Sequence, residues 1–320
     1  MAKAPLCLVA DIGGTNTRVA LSDGTVVRED SVRKYRNAEH DGLESVIRSY
    51  LAEEGVERVD GVCACAAGPV KDGVATLTNL DWTIDIETLR RATGARFSAL
   101  LNDLQAPGHA LGHIAHERLI PVIDGPRQSG ASMLVVNVGT GFNAAPVHES
   151  EYGRVVPASE CGHINMPVRD EADLRLARFV EKAHGFPGVE DVMSGRGVER
   201  LHAFVTSEAG APVTWTTSQI IPAIDSGTDA LATETARIFC RLLGTETGNL
   251  ALIHLPFGGI YLVGGIARAF ARHYGPCGFA EAFRDKGRFA EFMEQFSVVV
   301  LDDDFAPLTG CAVHLAHLMR

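Results

Sequence analysis

The octapeptide Asp11-Ile12-Gly13-Gly14-Thr15-Asn16-Thr17-Arg18 constrains the fold more than any other stretch. The apolar run Leu6-Cys7-Leu8-Val9-Ala10 leads into it, and Val19-Ala20-Leu21 leads out. Two apolar runs around a short polar turn spell a strand, a tight turn and a returning strand. Ser22-Asp23-Gly24 turns the chain again and predicts a third strand over residues 25–32. Adjacent glycines let the turn backbone approach a ligand closely. Its N–H groups, with the Thr15, Asn16 and Thr17 side chains, can donate to phosphate oxygens in the manner of a backbone anion nest. Asp11, at the end of the first strand, is placed to hold a hydrated Mg²⁺ between phosphates. The plainer reading is a Gly-rich hairpin in which Asp11 only forms the turn, but an acid, two glycines and three polar donors together favour a phosphate site. No G-x-x-x-x-G-K-[ST] string is present, which sets aside a Walker-type loop. No G-x-G-x-x-G joins the first strand to a helix, which argues against a Rossmann dinucleotide fold.

The chain has 320 residues, long for one core and comfortable for two domains. Its net charge of −11 argues against nucleic acid or an anionic membrane as the main partner, since both require a basic face. It does not exclude ATP, because a local nest and Mg²⁺ outweigh the global charge. The seven cysteines, at 7, 63, 65, 161, 240, 277 and 311, sit mostly in apolar runs and read as small buried hydrophobes. Their number is odd and there is no C-x-x-C pair, so neither a disulfide framework nor a zinc site is indicated. Cys63-Ala64-Cys65 alternates within a strand and points both thiols to one face. The N-terminus lacks the charged start and long apolar core of a signal peptide. No apolar run approaches the ~20 residues that cross a bilayer. The expectation is a cytoplasmic protein without a membrane partner.

Along the chain the first third alternates strands and helices, which predicts an α/β layer with parallel strands. A helix is expected over residues 41–54, with Leu43, Val46, Ile47, Tyr50 and Leu51 on one stripe and Gly55 ending it. Strands are expected over 59–67 and 97–101, with a short helix inside 83–93. The opening pattern then recurs: a strand over 131–137, the polar turn Gly139-Thr140-Gly141-Phe142-Asn143, and a return strand from Ala144. Matching Gly13 with Gly139 sets Asp11 opposite Asn137 and suggests two related half-domains, each with a Gly hairpin. The rest is richer in helix, over 171–184, from 198 to about 206, and from 229 to about 254. The buried strand 260–263 ends at Gly264-Gly265 and a further helix start, a place that can pack closely on an adenine or ribose ring.

Three places carry candidate chemistry. Asn102-Asp103 closes an apolar strand, and strand ends in α/β folds open onto the ligand crevice. A carboxylate there can take the proton of a substrate hydroxyl as it attacks a phosphoryl group. On position alone, Asp103 serves equally well as the cap of the next helix. Glu160-Cys161-Gly162-His163 sets an acid and an imidazole three residues apart, and Glu190 follows. Carboxylates suit sugars because each oxygen accepts from a ring hydroxyl; a zinc site would want more soft or imidazole ligands. The plainer reading of Glu160 and His163 is a surface ion pair.

With these residues in view, the chain resembles the bacterial glucokinases of the ATP-dependent hexokinase type, within the hexokinase–actin–sugar kinase superfamily. The likeness runs through DIGGTNTRVAL, AAGPV and TNLDW between Cys65 and Trp82, LND at 101–103, VGTGF, SECGH, VMSGRG, YLVGGIARAF and GFAEAFRDKGRF. It implies two α/β domains of the ribonuclease H-like, actin-like ATPase type with a cleft between them, a small one over 1–112 plus 304–320 and a large one over 113–303. It implies transfer of the ATP γ-phosphate to the 6-hydroxyl of glucose, with Mg²⁺, and Asp103 as general base. Asn102, Glu160, His163 and Glu190 would bind the other sugar hydroxyls. The hairpin of Asp11, Gly13, Gly14, Thr15, Asn16 and Thr17 and the turn Gly139, Thr140, Gly141 would hold the phosphates, with Gly264 and Gly265 bordering the adenosine. Relatives often dimerise, so a homodimer is implied. Two departures stand out. Phe142-Asn143 replaces the Leu-Gly that ends GTGLG, and Asn143 is expected to keep the turn through a left-handed conformation. Cys161 replaces a glycine and is expected to add bulk beside Glu160. A kinase of another hexose, or a sugar-sensing regulator of the same fold, are the alternative readings.

Overall fold

The computed structural model describes residues 4–66, 68, 70–76, 82–151 and 153–320. Ala67 and Pro69 of AAGPV, and Thr78, Asn79, Leu80 and Asp81 of TNLDW, lie outside the described residues. The chain divides into two units: Met1–Ala115 with Ser150–Ala158 and Asp303–Arg320, and His116–Glu149 with Ser159–Asp302.

In the first unit β1 (Leu6–Ile12) and β2 (Asn16–Asp23) form an antiparallel hairpin in which Asp11 faces Arg18 and Ile12 faces Thr17. The strand expected over 25–32 is interrupted. β3 is only Val26–Val27, a 3₁₀ turn covers Glu29–Ser31, and β4 (Arg33–Arg36) returns to pair with β2. Ser31 is the cause: its hydroxyl donates to Arg28 O (2.7 Å) and accepts from Leu21 N–H (2.9 Å), so a side chain takes a backbone place in the ladder.

Helix α1 (Leu43–Glu53) buries the expected stripe of Leu43, Val46, Ile47, Tyr50 and Leu51, and Gly55 follows it at φ 64°. Then come β5 (Gly61–Ala66), a small meander of β6 (Val70–Lys71), β7 (Val74–Thr76) and β8 (Thr83–Asp85), α2 (Ile86–Thr93), β9 (Phe97–Asn102) and α3 (Gln105–Ala110). The sheet order is β3-β2-β1-β5-β9, with β1, β5 and β9 parallel. Alternate residues of the central strands face two apolar layers. Leu8, Ala10, Ile12, Val62 and Ala64 pack with Leu43, Val46, Ile47 and Leu89 of α1 and α2. Cys7, Val9, Cys63 and Cys65 pack with Leu308, Cys311, Ala312 and Leu315 of the C-terminal helix, Ala306–Leu318. Cys63 and Cys65 thus do share one face.

The remaining strands are β10 (Leu119–Ile123), β11 (Met133–Val138), β12 (Phe142–Ser150), β13 (Gly153–Val155), β14 (Ile260–Val263) and β15 (Val298–Leu301). β13 lies in the segment that belongs to the first unit. Arg154 holds it there, donating from Nη1 to the carbonyls of Gly108 (3.1 Å), His109 (2.7 Å) and Leu111 (2.5 Å). In the second unit the strands run in the order β10-β15-β14-β11-β12. β11 pairs antiparallel with β12 and parallel with β14, and β14 parallel with β15. That repeats the pairing of β1 with β2 and β5, and of β5 with β9. Asn137 faces Asn143 and Val263 as Asp11 faces Arg18 and Cys65. The weak sequence repeat therefore has a topological counterpart.

The helices of the second unit are α4 (Glu171–His184), α5 (Val189–Val192), α6 (Gly195–Glu208), α7 (Thr217–Ser226), α8 (Ala230–His254), α9 (Gly265–Ala269) and α10 (Phe279–Arg284). Asp170, Ser194 and Asp229 cap α4, α6 and α8, each accepting from backbone N–H groups of the first turn. α6 begins three residues before the expected 198, because Ser194 takes the cap and Gly195-Arg196-Gly197 forms the first turn. Gly197 is required by packing there: a Cβ would come within 2.5 Å of the Val192 carbonyl carbon.

Candidate active site

In the first unit the Gly hairpin is closed by Gly13 N–H donating to Asn16 O (3.0 Å). Neither Gly13 nor Gly14 has φ in the left-handed region. The glycines are therefore not required by backbone conformation; they leave the turn bare of side chains. Thr15 is exposed, and Asn16 is half-buried. Thr17 is fully buried, and its hydroxyl donates to Asn37 Oδ1 (2.8 Å). Asn37 in turn donates from Nδ2 to Gly13 O (2.8 Å) and from its backbone N–H to Thr15 O (3.0 Å). Thr17 thus braces the hairpin from beneath, through Asn37, a residue that sequence reading missed.

Asp11 Oδ1 accepts from the Cys65 S–H (3.6 Å), and Arg18 faces it across the hairpin. Burial pushes the Asp11 carboxyl above its ordinary range; the Arg18 charge and the Cys65 thiol oppose this in part. Arg18 Nη1 also donates to Asp304 O (2.7 Å), tying β2 to the start of the C-terminal helix. At the end of β9, Asn102 Oδ1 accepts from Leu104 N–H (3.1 Å) and Gln105 N–H (2.6 Å). Asn102 is thus the residue that caps α3. Gln105 answers by accepting at Oε1 from Asn102 N–H (3.0 Å) and donating from Nε2 to Val156 O (2.9 Å). Asp103 hangs its backbone N–H on Ala66 O (3.0 Å) and exposes its side chain. Asp11 and Asp103 are both near enough to the buried Cys65 thiol to disfavour its ionisation, so the two carboxylates share one edge of the sheet.

In the second unit Gly139 N–H donates to Gly141 O (2.9 Å), and Gly139 O accepts from Gly195 N–H (2.8 Å) at the start of α6. Thr140 is exposed. A Cβ at Gly141 would sit 2.6 Å from Glu190 Oε2, so a side chain there would have to displace that carboxylate. Glu190, on α5, accepts at Oε2 from Phe142 N–H (3.0 Å), and its Oε1 lies 3.8 Å from Arg196 Nη2. Glu160 and His163 flank a 3₁₀ turn, Cys161–His163, with Nε2 to Oε2 at 4.0 Å; both side chains are about two-thirds exposed (66% and 70%). Gly162 beneath them is required by packing against the Phe142 carbonyl. Gly264, at φ 104°, packs on β11, where a Cβ would meet Val138 O (2.5 Å) and Asn137 Oδ1 (2.6 Å). Gly265 opens onto free space.

Two expectations change. Asn143 does not sit in a left-handed turn: it lies within β12, and its side chain bonds to the segment that carries Glu160. Cys161 does not crowd Glu160. Its side chain packs partly on the core of the second unit, with Sγ 3.4 Å from Asn143 Oδ1.

Mg²⁺ keeps most of its waters and takes one or two carboxylates together with substrate phosphates. A single carboxylate beside a bare Gly turn, as Asp11 presents, fits that demand. Among the described residues no group of three or more His, Cys, Asp and Glu side chains forms an all-protein cage.

Two α/β units that repeat one strand topology, each with a Gly turn beside a site carboxylate, define the actin-like ATPase fold of the sugar kinases. Within it, the chain belongs to the glucokinase family, whose model matches residues 8–318. It is 33% identical to the glucokinase of Caulobacter vibrioides over 97% of this chain and 95% of that one. It is 31% identical to that of Marinobacter nauticus, covering 97% of each. A glucokinase crystal structure from an Antarctic psychrotroph superposes with a TM-score of 0.87 at 28% identity, covering 97% of this chain and 98% of that one. A ROK-family glucokinase of Streptomyces griseus, solved with glucose and AMPPNP, shares the fold at a TM-score of 0.64 and 19% identity, over 96% and 98% of the two chains.

Proposed function

We propose that this protein transfers the γ-phosphoryl group of ATP to the 6-hydroxyl of D-glucose, giving glucose 6-phosphate and ADP. The observation that carries the mechanism is the division of labour at the end of β9. Asn102 Oδ1 accepts from the backbone N–H groups that open α3, and Asp103 beside it is an exposed residue. Asp103 takes the proton of the sugar's primary hydroxyl as that oxygen attacks, a step worth about 10²–10⁴ in rate. Asn102 Nδ2, Glu160, His163 and Glu190 bind the remaining hydroxyls: carboxylates accept, the amide donates, and the imidazole does either. The turns at 13–16 and 139–141 donate backbone N–H groups to phosphate oxygens, and Thr17 with Asn37 keeps the first turn in shape. Asp11 would hold Mg²⁺ through its waters, and the ion would neutralise charge on the transferring phosphoryl group. The adenosine borders Gly265, with Gly264 fixing the turn behind it.

The two units serve as the two functional domains of this reading. The setting we propose is the cytoplasm, supported by seven free cysteines, and the assembly a homodimer. Nucleic acid and membrane are not partners in this reading, which the net charge of −11 supports. A coupled assay following ADP and glucose 6-phosphate together tests the reaction. Equal, glucose-dependent appearance of both products is expected; glucose binding without ADP would turn the reading to a sugar sensor. Asp103→Asn should bind glucose with near-native affinity and lose turnover by about 10²–10⁴. Turnover near the wild-type rate in that variant would remove Asp103 as the base.

A further inference from the structure

The first two residues of β12 hold Glu190 and the segment that carries Glu160, the two acids read as sugar ligands. Phe142 does so with its backbone, donating to Glu190 Oε2 (3.0 Å). Asn143 does so with its side chain. Its Oδ1 accepts from Cys161 N–H (3.2 Å), lies 3.0 Å from the Ser159 hydroxyl and 3.4 Å from the Cys161 thiol, and receives Ala144 N–H (2.9 Å). Its Nδ2 donates to Ser159 O (2.5 Å). The Ser159 hydroxyl can alternatively donate to Ala144 O (2.5 Å). The residues immediately before and after Glu160 are thus both fastened to one amide, while the Glu160 side chain itself is exposed. An amide supplies a donor and an acceptor on adjacent atoms, and here both are used.

We propose that Asn143 is a positioning residue for Glu160: by clamping Ser159 and Cys161 it fixes the backbone from which that acid meets the sugar. This rests on the reading of Glu160 as a sugar ligand. A segment already ordered before binding loses less conformational freedom when the sugar arrives, so the clamp acts on sugar affinity. Nothing in it reaches the transferring phosphoryl group, so kcat and the ATP KM stand outside its influence.

Steady-state kinetics with glucose varied at saturating Mg-ATP test this in wild type, Asn143→Ala, Asn143→Asp, Glu160→Gln and the double variant Asn143→Ala/Glu160→Gln. Asn143→Ala should raise the glucose KM about tenfold, with kcat and the ATP KM within about twofold. Asn143→Asp keeps the acceptor and loses the donor, so its rise should be smaller. In the Glu160→Gln background, the added Asn143→Ala change should move the glucose KM by less than about twofold, because its route to the sugar is gone. An unchanged glucose KM in Asn143→Ala overturns the proposal. So does a rise of the same factor with and without Glu160, which would mark a general loosening of the site. Should Asn143→Ala fail to fold, an unchanged KM in Asn143→Asp overturns it equally. A Glu160→Gln variant with native glucose KM would instead remove the sugar-ligand reading, and this proposal with it.

Discussion

At the scale of single residues, Asp11 is a buried carboxyl that costs stability at neutral pH. Its carboxyl titrates above the ordinary value of 3.8 because burial disfavours the charged form. Below pH 3.8 it is protonated whether the chain is folded or not, and costs nothing. As pH rises from 3.8 through the folded value, the unfolded chain releases the proton more readily, and stability falls; above that value the cost is complete. Asp11→Asn should therefore raise the melting temperature at pH 7 by on the order of 1–2 °C, leave it unchanged near pH 3, and abolish Mg-ATP turnover. A lower melting temperature at pH 7 would show that the Arg18 and Cys65 contacts outweigh desolvation. The sequence placed Asp11 at a strand end because the apolar run stops there. It did not show which of Asn102 and Asp103 caps α3, since both residue types cap well and only the distances to Leu104 N and Gln105 N distinguish them. Thr17 was legible in retrospect. It alternates with Val19 and Leu21, both buried in the same core, so period two puts its hydroxyl beneath the hairpin. Asn37 gave no such signal, because its three bonds reach residues twenty or more positions away in the sequence.

Among elements, the contact of α3 with the C-terminal helix is the one that bears most directly on where Asp103 sits. α3 starts two residues after Asp103, and Gly310 of the C-terminal helix lies so close that an added Cβ would run into the Ala106 carbonyl. A backbone carbonyl cannot step aside as a side-chain tip does. Gly310→Ala should cost about 1–3 kcal/mol, seen as a lower denaturation midpoint, and should lower kcat by displacing α3 and with it Asp103. Native kcat with native stability would show that the two helices separate without cost. A glycine inside a helix reads in the sequence only as a weak helix former. Its purpose exists only once a second helix crosses it. The broken third strand teaches the same point: residues 25–32 carry adequate strand character, and the Ser31 hydroxyl decides where the ladder stops.

Across the whole molecule, the first unit is assembled from three separate stretches of chain, and a pair of histidines, one buried and one half-buried, joins two of them. His109 of α3 and His314 of the C-terminal helix lie with ring centroids 4.5 Å apart. Burial, with the neighbouring His317 and, for His109, Arg154 and His314 itself, pushes them down to about 3 and about 4. The unfolded chain takes up these protons near 6.5, whereas the folded unit stays neutral until about 4, so stability falls as pH drops from 6.5 toward 4. Two protons give a slope of at most about 2.7 kcal/mol per pH unit. Denaturant titrations between pH 7 and 4.5 should show that decline, and His314→Gln should roughly halve it; a decline unaltered in the variant would place its origin elsewhere. The sequence by itself determined the strand–turn–strand openings of both halves, the buried stripe of α1, and the carboxylates at strand ends. These follow from backbone sterics and burial periods that act over a few residues. Only the tertiary structure decided that residues 150–158 return to the first unit on Arg154, that Asn102 caps while Asp103 stays exposed, and that Asn143 holds the segment carrying Glu160. Those choices depend on which distant side chains meet, and that is set by packing in three dimensions, beyond the reach of any local pattern.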